Sequence, residues 1–168
     1  MTSTLPVDRT RTTRFVEVSV THASGLTPLM SACSSLRGMA GLADGKEKKP
    51  GDEVIAEIVR LLLDKGAKVN VKDDAGWTPL IMASMTGFVK TVNILIEHKA
   101  DMEARDLLKG EAPLSWAAEM GHVEVVKALL VKGADPGAKD KAGQTALDHA
   151  KKNEHSKVVE VLKKAKSK

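Results

Sequence analysis

Two stretches of this chain are near-copies of each other. Gly76 to Asp101 reads GWTPLIMASMTGFVKTVNILIEHKAD, and Gly110 to Asp135 reads GEAPLSWAAEMGHVEVVKALLVKGAD. Pro79 and Pro113, Leu80 and Leu114, Gly87 and Gly121, and Ala100 and Ala134 are each 34 residues apart. A worn copy, GQTALDHAKKNEHSKVVEVLKK, begins at Gly143, and a short one, GLTPLMSAC, at Gly25. A unit repeated at about 33 residues cannot bury its apolar face alone, so neighbouring copies must stack and share one elongated core.

Each copy has the same local grammar. Thr78-Pro79 opens a helix: the Thr hydroxyl caps free N–H groups, and Pro suits the first helical turn. Ala83, with Ala117 and Ala118 in the next copy, lets neighbouring helices approach closely. Gly87 and Gly121 fit the left-handed residue that ends a first helix. Val125, Val126, Leu129 and Leu130 then form one apolar face of a second helix. Gly66 and Gly133 end the second helices, and a hairpin follows, through Val69-Asn70-Val71 or Pro136-Gly137-Ala138.

The T-P-L-x-x-A core, the G-H turn and the V-V-x-x-L-L-x-x-G-A-D tail resemble the ankyrin repeat, over roughly residues 18–163. The resemblance implies an all-α solenoid of about four helix-turn-helix units joined by β-hairpin loops. The expected organisation is a disordered tail over 1–14, a first hairpin arm over 15–24 and a repeat domain over 25–163. Its repeats cover 25–68, 69–101, 102–135 and 136–163, and a frayed tail covers 164–168. Phe15 to Val20, FVEVSV, supplies the hairpin arm and is a candidate cover for the open N-terminal end. Repeat one is longer than the others. Its extra segment, Arg37 to Glu53, is rich in glycine and charge and reads as a surface loop between helices. Lys151 and Lys163 stand where Ala118 and Leu130 stand in repeat three, as expected of a terminal unit with nothing packed beyond it.

Several positions depart from the pattern. Ala112 replaces the capping Thr of repeat three. Lys99 takes the left-handed site held by Gly66 and Gly133. The family's usual His after T-P-L is replaced by Met30, Ile81, Ser115 and Asp148, so its bond to the Thr hydroxyl is expected to be missing. The hairpin before Gly110 is one residue longer than the others. Asn70 sits where similar repeats can be hydroxylated, although a plain turn asparagine is the simpler reading.

No phosphate loop, G-x-S-x-G or H-E-x-x-H motif is present, which argues against catalysis. The histidines at 22, 98, 122, 149 and 155 never come at metal-ligand spacing, so no metal or cofactor is expected. His122 and His155 match the repeat's structural turn histidine, and Cys33 falls in the small-residue layer as a buried thiol. A single cysteine makes no internal disulfide, which suits a reducing intracellular compartment, cytoplasmic or nuclear. No apolar run is long enough for a membrane span.

In this family the hairpin tips and the adjoining inner-helix surface carry the partner contacts. The resemblance places those contacts at Lys72, Asp74, Ala75, Trp77, Met85 and Thr86 in repeat two. In repeat three they fall at Arg105, Leu107, Leu108, Lys109, Glu111, Glu119 and Met120, and in repeat four at Lys139, Lys141, Gln144 and Lys152. Trp77 is expected to point away from the core as an interface anchor. Leu107, Leu108, Met85 and Met120 are expected to form an apolar patch on the concave face. Trp116 is expected to pack. The function implied is a non-enzymatic scaffold that displays this surface to a protein or peptide, with no membrane contact and an oligomeric state the sequence leaves open. Two alternatives stand beside it. One is a basic nucleic-acid or anionic-surface binder, suggested by the net charge of +4 and the lysines of the last helix. No aromatic residues interleave with those lysines, which argues against nucleic acid. The other is a regulatory piece of a larger protein.

Overall fold

A computed structural model describes residues 25–34 and 51–166. The expectations for residues 1–24, including the Phe15–Val20 arm and His22, lie outside the described residues, as does most of the Arg37–Glu53 segment. The described residues contain eight helices: α1 (Pro28–Cys33), α2 (Asp52–Asp64), α3 (Pro79–Thr86), α4 (Val89–Glu97), α5 (Pro113–Glu119), α6 (Val123–Val131), α7 (Ala146–Lys152) and α8 (Ser156–Lys166). They pair within each repeat as α1 with α2, α3 with α4, α5 with α6 and α7 with α8. The first helices stack on one another in one layer, and the second helices stack in another.

The local grammar produces these helices. Thr27 and Thr78 accept the N–H groups of Met30 and Ile81, and a proline opens each helix. Ala112 makes no side-chain cap at the start of α5. Gly87 and Gly121 turn the chain at positive φ, and Gly66 and Gly133 do so after the second helices. Lys99 is held at φ 66° in the same role, and Glu154 at φ 59° where the earlier repeats use Gly87 and Gly121. Between the layers lie Leu80, Ile81, Leu95, Val92, Leu114, Ala117, Ala118, Val125, Val126, Leu129, Val158 and Leu162, all buried.

Three expectations change. Asp52 and Glu53 belong to α2, not to a loop, because α2 begins well before the point where α4 and α6 begin. The early start has a purpose. The Asp52 carboxylate accepts the N–H groups of Lys90 and Thr91 at 2.6 and 3.0 Å and the Thr91 hydroxyl at 2.9 Å. It therefore caps α4, whose own N-cap residue, Phe88, makes no side-chain cap. The last helix continues to Lys166, past the end expected at 163. In repeat four the Thr bond is present after all: the Thr145 hydroxyl and N–H donate to Asp148 at 2.7 and 2.9 Å, a capping box in which Asp supplies the acceptor.

The hairpins form no named strands among the described residues; an isolated bridge joins Lys139 and Thr145. Each is closed by an aspartate at its base and tied to the next. The Ala75 carbonyl accepts the N–H of Leu107, and the Lys109 carbonyl accepts that of Lys141. At the N-terminal side, Val54, Ile58 and Leu61 of α2 are exposed. The equivalents of the last two in α4, Thr91 and Ile94, are buried where α4 packs on α2.

Candidate functional site

The hairpin bases were not singled out by the sequence, yet they position everything around them. Asp73 accepts the N–H groups of Ala75 and Trp77 at 3.0 and 2.8 Å. Asp140 accepts those of Ala142 and Gln144, both at 2.8 Å. Asp106 does more in the longer third hairpin. It accepts Leu108, Lys109 and Glu111 N–H at 2.8, 2.7 and 2.8 Å, and the Trp116 indole N–H at 3.2 Å. Burial opposes the charge of Asp106, but these donors outweigh it and hold the carboxyl below its usual range. The available signal was an Asp three or four residues before Gly76, Gly110 and Gly143.

The tip carried by Asp106 is exposed. Leu107 and Leu108 are 61% and 67% accessible, and Met120 is also exposed. Met85 is half-buried, while Lys72, Asp74 and Lys141 are exposed and Gln144 half-buried. The Lys141 ammonium donates to the Leu107 carbonyl at 2.5 Å, tying the fourth hairpin to the third.

Two expected surface residues are not on the surface. Trp77 is only 6% accessible and lies against Trp116, with ring centroids 5.5 Å apart. Glu111, at the same place in the next repeat, is fully buried, 3.7 Å from His149. The reason is shared. Each follows a hairpin glycine at positive φ, and its side chain folds onto the first helix of the following repeat. Arg105 is likewise partly withdrawn from any partner: its guanidinium donates to the carbonyls of Gly110 and Lys139 and clamps two hairpins together.

Around Glu111 lies a polar cluster built by two repeats. Lys109 reaches Glu119 at 3.1 Å and Glu111 at 3.4 Å, and its ammonium stands 4.7 Å from the centre of the Trp116 ring. Burial and the neighbouring Glu119 carboxylate push the Glu111 pKa up to about 7, against the pull of Lys109. The His149 ring nitrogen Nε2 lies 2.9 Å from Asp140 Oδ2. Burial works against the charge of Asp140, but the N–H groups of Gln144 and Ala142, together with His149, keep its carboxyl below the usual range. Glu111, Asp140 and His149 thus bring one donor atom each within 4.8 Å of one another, a grouping that spacing along the chain did not reveal.

The remaining histidine and cysteine expectations agree with the structure. His122 Nε2 meets the Met85 carbonyl and His155 Nε2 the Glu119 carbonyl, each at 2.9 Å. Their rings cover Gly87 and Gly121 so closely that a Cβ at either glycine would sit 2.7 Å from ring atoms. Both histidines therefore lock one repeat's turn to the next. Cys33 is fully buried, and burial raises its thiol pKa far above the usual range, which leaves it an inert packing group. Asn70 ties turns in the same way, donating to the Lys99 carbonyl and accepting the Asp101 N–H.

Known families account for this architecture. The model for ankyrin repeats (3 copies) matches residues 53–140 and 106–168, and that for a single ankyrin repeat matches residues 24–74. The chain belongs to the ankyrin repeat family. It is 35% identical over 142 residues to human Ankyrin repeat domain-containing protein 63, covering 82% of this chain and 33% of that protein. It is 38% identical over 93 residues to mouse Ankyrin repeat and SAM domain-containing protein 6, covering 55% of this chain and 10% of that protein. It is 31% identical over 106 residues to the Drosophila melanogaster Tyrosine-protein kinase Shark, covering 63% and 11%. The chain spans about a third or less of the length of these relatives. Ankyrin repeats generally mediate protein–protein interaction and are generally non-enzymatic scaffolds; the kinase among the relatives shares only this part of its length. No helix among the described residues of this ankyrin protein is long and apolar enough to cross a membrane.

Proposed function

We propose that this chain is an ankyrin binding module whose third hairpin anchors a protein or peptide. The observation that carries the reading is a pair of exposed leucines, Leu107 and Leu108, on a tip whose backbone Asp106 pins with three hydrogen bonds. Fixing the tip beforehand lowers the ordering cost of binding. Met120 and the half-buried Met85 would extend the apolar surface, with Lys72, Asp74, Glu119, Lys141 and Gln144 at its rim setting partner charge. Trp77, Glu111 and Arg105 support this surface from below instead of touching the partner. The mechanism is rigid display, with no chemical step.

The test is an affinity pull-down that compares the chain with a Leu107→Ser, Leu108→Ser variant and with a Val131→Ser control on α6, where Val131 is even more open to water. A protein retained by the chain and the control but lost from the tip variant supports the reading. Its direct affinity should then fall by about 2 kcal/mol or more, as for a hot spot. Equal recovery by all three forms removes the third hairpin from the site.

A further inference from the structure

We propose that Glu111, Asp140 and His149 form a binding site for a divalent transition ion of the zinc type at the junction of repeats three and four. The donors are one imidazole nitrogen and two carboxylate oxygens, all within 4.8 Å of one another. His149 Nε2 is 2.9 Å from Asp140 Oδ2 and 3.7 Å from Glu111 Oε1, so an ion at ordinary Zn–N and Zn–O lengths of about 2.0–2.2 Å needs the first pair to part slightly and the two carboxylates to lie on either side of it.

The second observation is Glu111 itself. Its side chain is completely buried, and its carboxylate oxygens lack hydrogen bonds of ordinary geometry, with Lys109 3.4 Å from Oε1 and the Glu119 carboxylate close enough to push its pKa up. A buried carboxylate held only by such long or shared contacts is costly in its charged form. The cations beside it are Lys109, at 3.4 Å and shared with Glu119, and His149 when protonated. An ion between Glu111, Asp140 and neutral His149 would satisfy those oxygens and balance two negative charges with two positive ones.

The surroundings suit ligation. The N–H groups of Ala142 and Gln144 hold Asp140 through Oδ1, which leaves Oδ2 aimed at the cluster. Such outer bonds orient metal ligands. The mixture of imidazole and carboxylate favours zinc, cobalt or nickel over calcium and magnesium, which prefer all-oxygen shells. Because the ligands come from two repeats, a bound ion would staple the C-terminal repeat to the one before it, a structural role beside the exposed tip.

The full chain, stripped with a chelator and free of any affinity tag, is titrated with Zn²⁺ by calorimetry, and with Co²⁺ for its visible absorption. The expected result is one ion per chain and a melting temperature that rises with ion concentration. Glu111→Gln and His149→Gln should each weaken uptake by about tenfold or more, with circular dichroism of the ion-free variants reporting whether they fold. In the unmodified chain, nitrogen resonances of the His149 ring should move on adding Zn²⁺ while those of His98, His122 and His155 stay, a readout that needs no variant. The proposal falls if Zn²⁺ leaves the melting temperature unchanged or if a different histidine responds. It also falls if a folded Glu111→Gln chain binds as tightly as the parent, or if Ca²⁺ or Mg²⁺ acts as well as Zn²⁺.

Discussion

The junction between repeats two and three and the junction between repeats three and four use the same backbone slot and fill it oppositely. At the first, Trp77 lies on Trp116 in a tilted aromatic pair. At the second, Glu111 faces His149 and Asp140. Both side chains are buried, and both leave a hairpin glycine at positive φ. The slot therefore demands volume and a partner on the next repeat, not a particular polarity. Dispersion and apolar burial hold the first junction. The second sets ionisable groups against one another, which makes it sensitive to pH and to ions.

The largest test of this contrast is Trp77→Ala. Removing a buried indole should destabilise the chain by about 3–5 kcal/mol, read as a lower urea midpoint. A loss below about 1 kcal/mol would mean that the first junction is not packed as described.

Proton linkage separates the junctions next. Glu111 has a folded pKa of about 7, above its unfolded value of about 4.3. A raised carboxyl pKa means that the folded state holds the proton more tightly. The stability this adds is complete below about pH 4.3 and disappears as pH rises through about 7. With chelator present, the unfolding free energy read from urea titrations should fall between about pH 5 and 7.5, by up to about 1.4 kcal/mol per pH unit from this group. Glu111→Gln should flatten that slope and leave the chain more stable than the parent at pH 8. The depressed carboxyls of Asp106, Asp140 and Glu119 act in the opposite direction. They do so below about pH 4.5, where their unfolded forms take up protons. A slope that survives in Glu111→Gln would place the titrating group elsewhere.

Two smaller changes should make the repeats more alike. Ala112→Thr gives α5 the cap that Thr78 gives α3 and is expected to stabilise by about 0.5–2 kcal/mol; a lower melting temperature would mean that the site cannot hold the hydroxyl. Lys99→Gly relieves a left-handed residue at φ 66° and should raise stability by about 1 kcal/mol. The Lys99 carbonyl keeps its bond from Asn70, so a clear loss would come from the lysine side chain or from glycine's greater freedom in the unfolded chain.

What this sequence determines by itself is whatever one repeat encodes locally. Thr78-Pro79 starts a helix, Gly87 ends it, and Val125, Val126 and Leu129 share a face, because capping, φ preference and helical period act within a few residues. The roles of His122, His155 and Cys33 were legible for a related reason: each sits at a recurring place whose neighbours also recur. Trp77 and Glu111 were misjudged because their environment lies a whole repeat further along the chain. Only stacking decides whether the residue after a hairpin glycine faces water or the next helix. Stacking also allows Asp52 to cap α4 across repeats, and brings Glu111, Asp140 and His149 together from positions that share no motif. Local conformation is written in spacing, whereas burial and electrostatics depend on the atoms that packing places opposite each side chain.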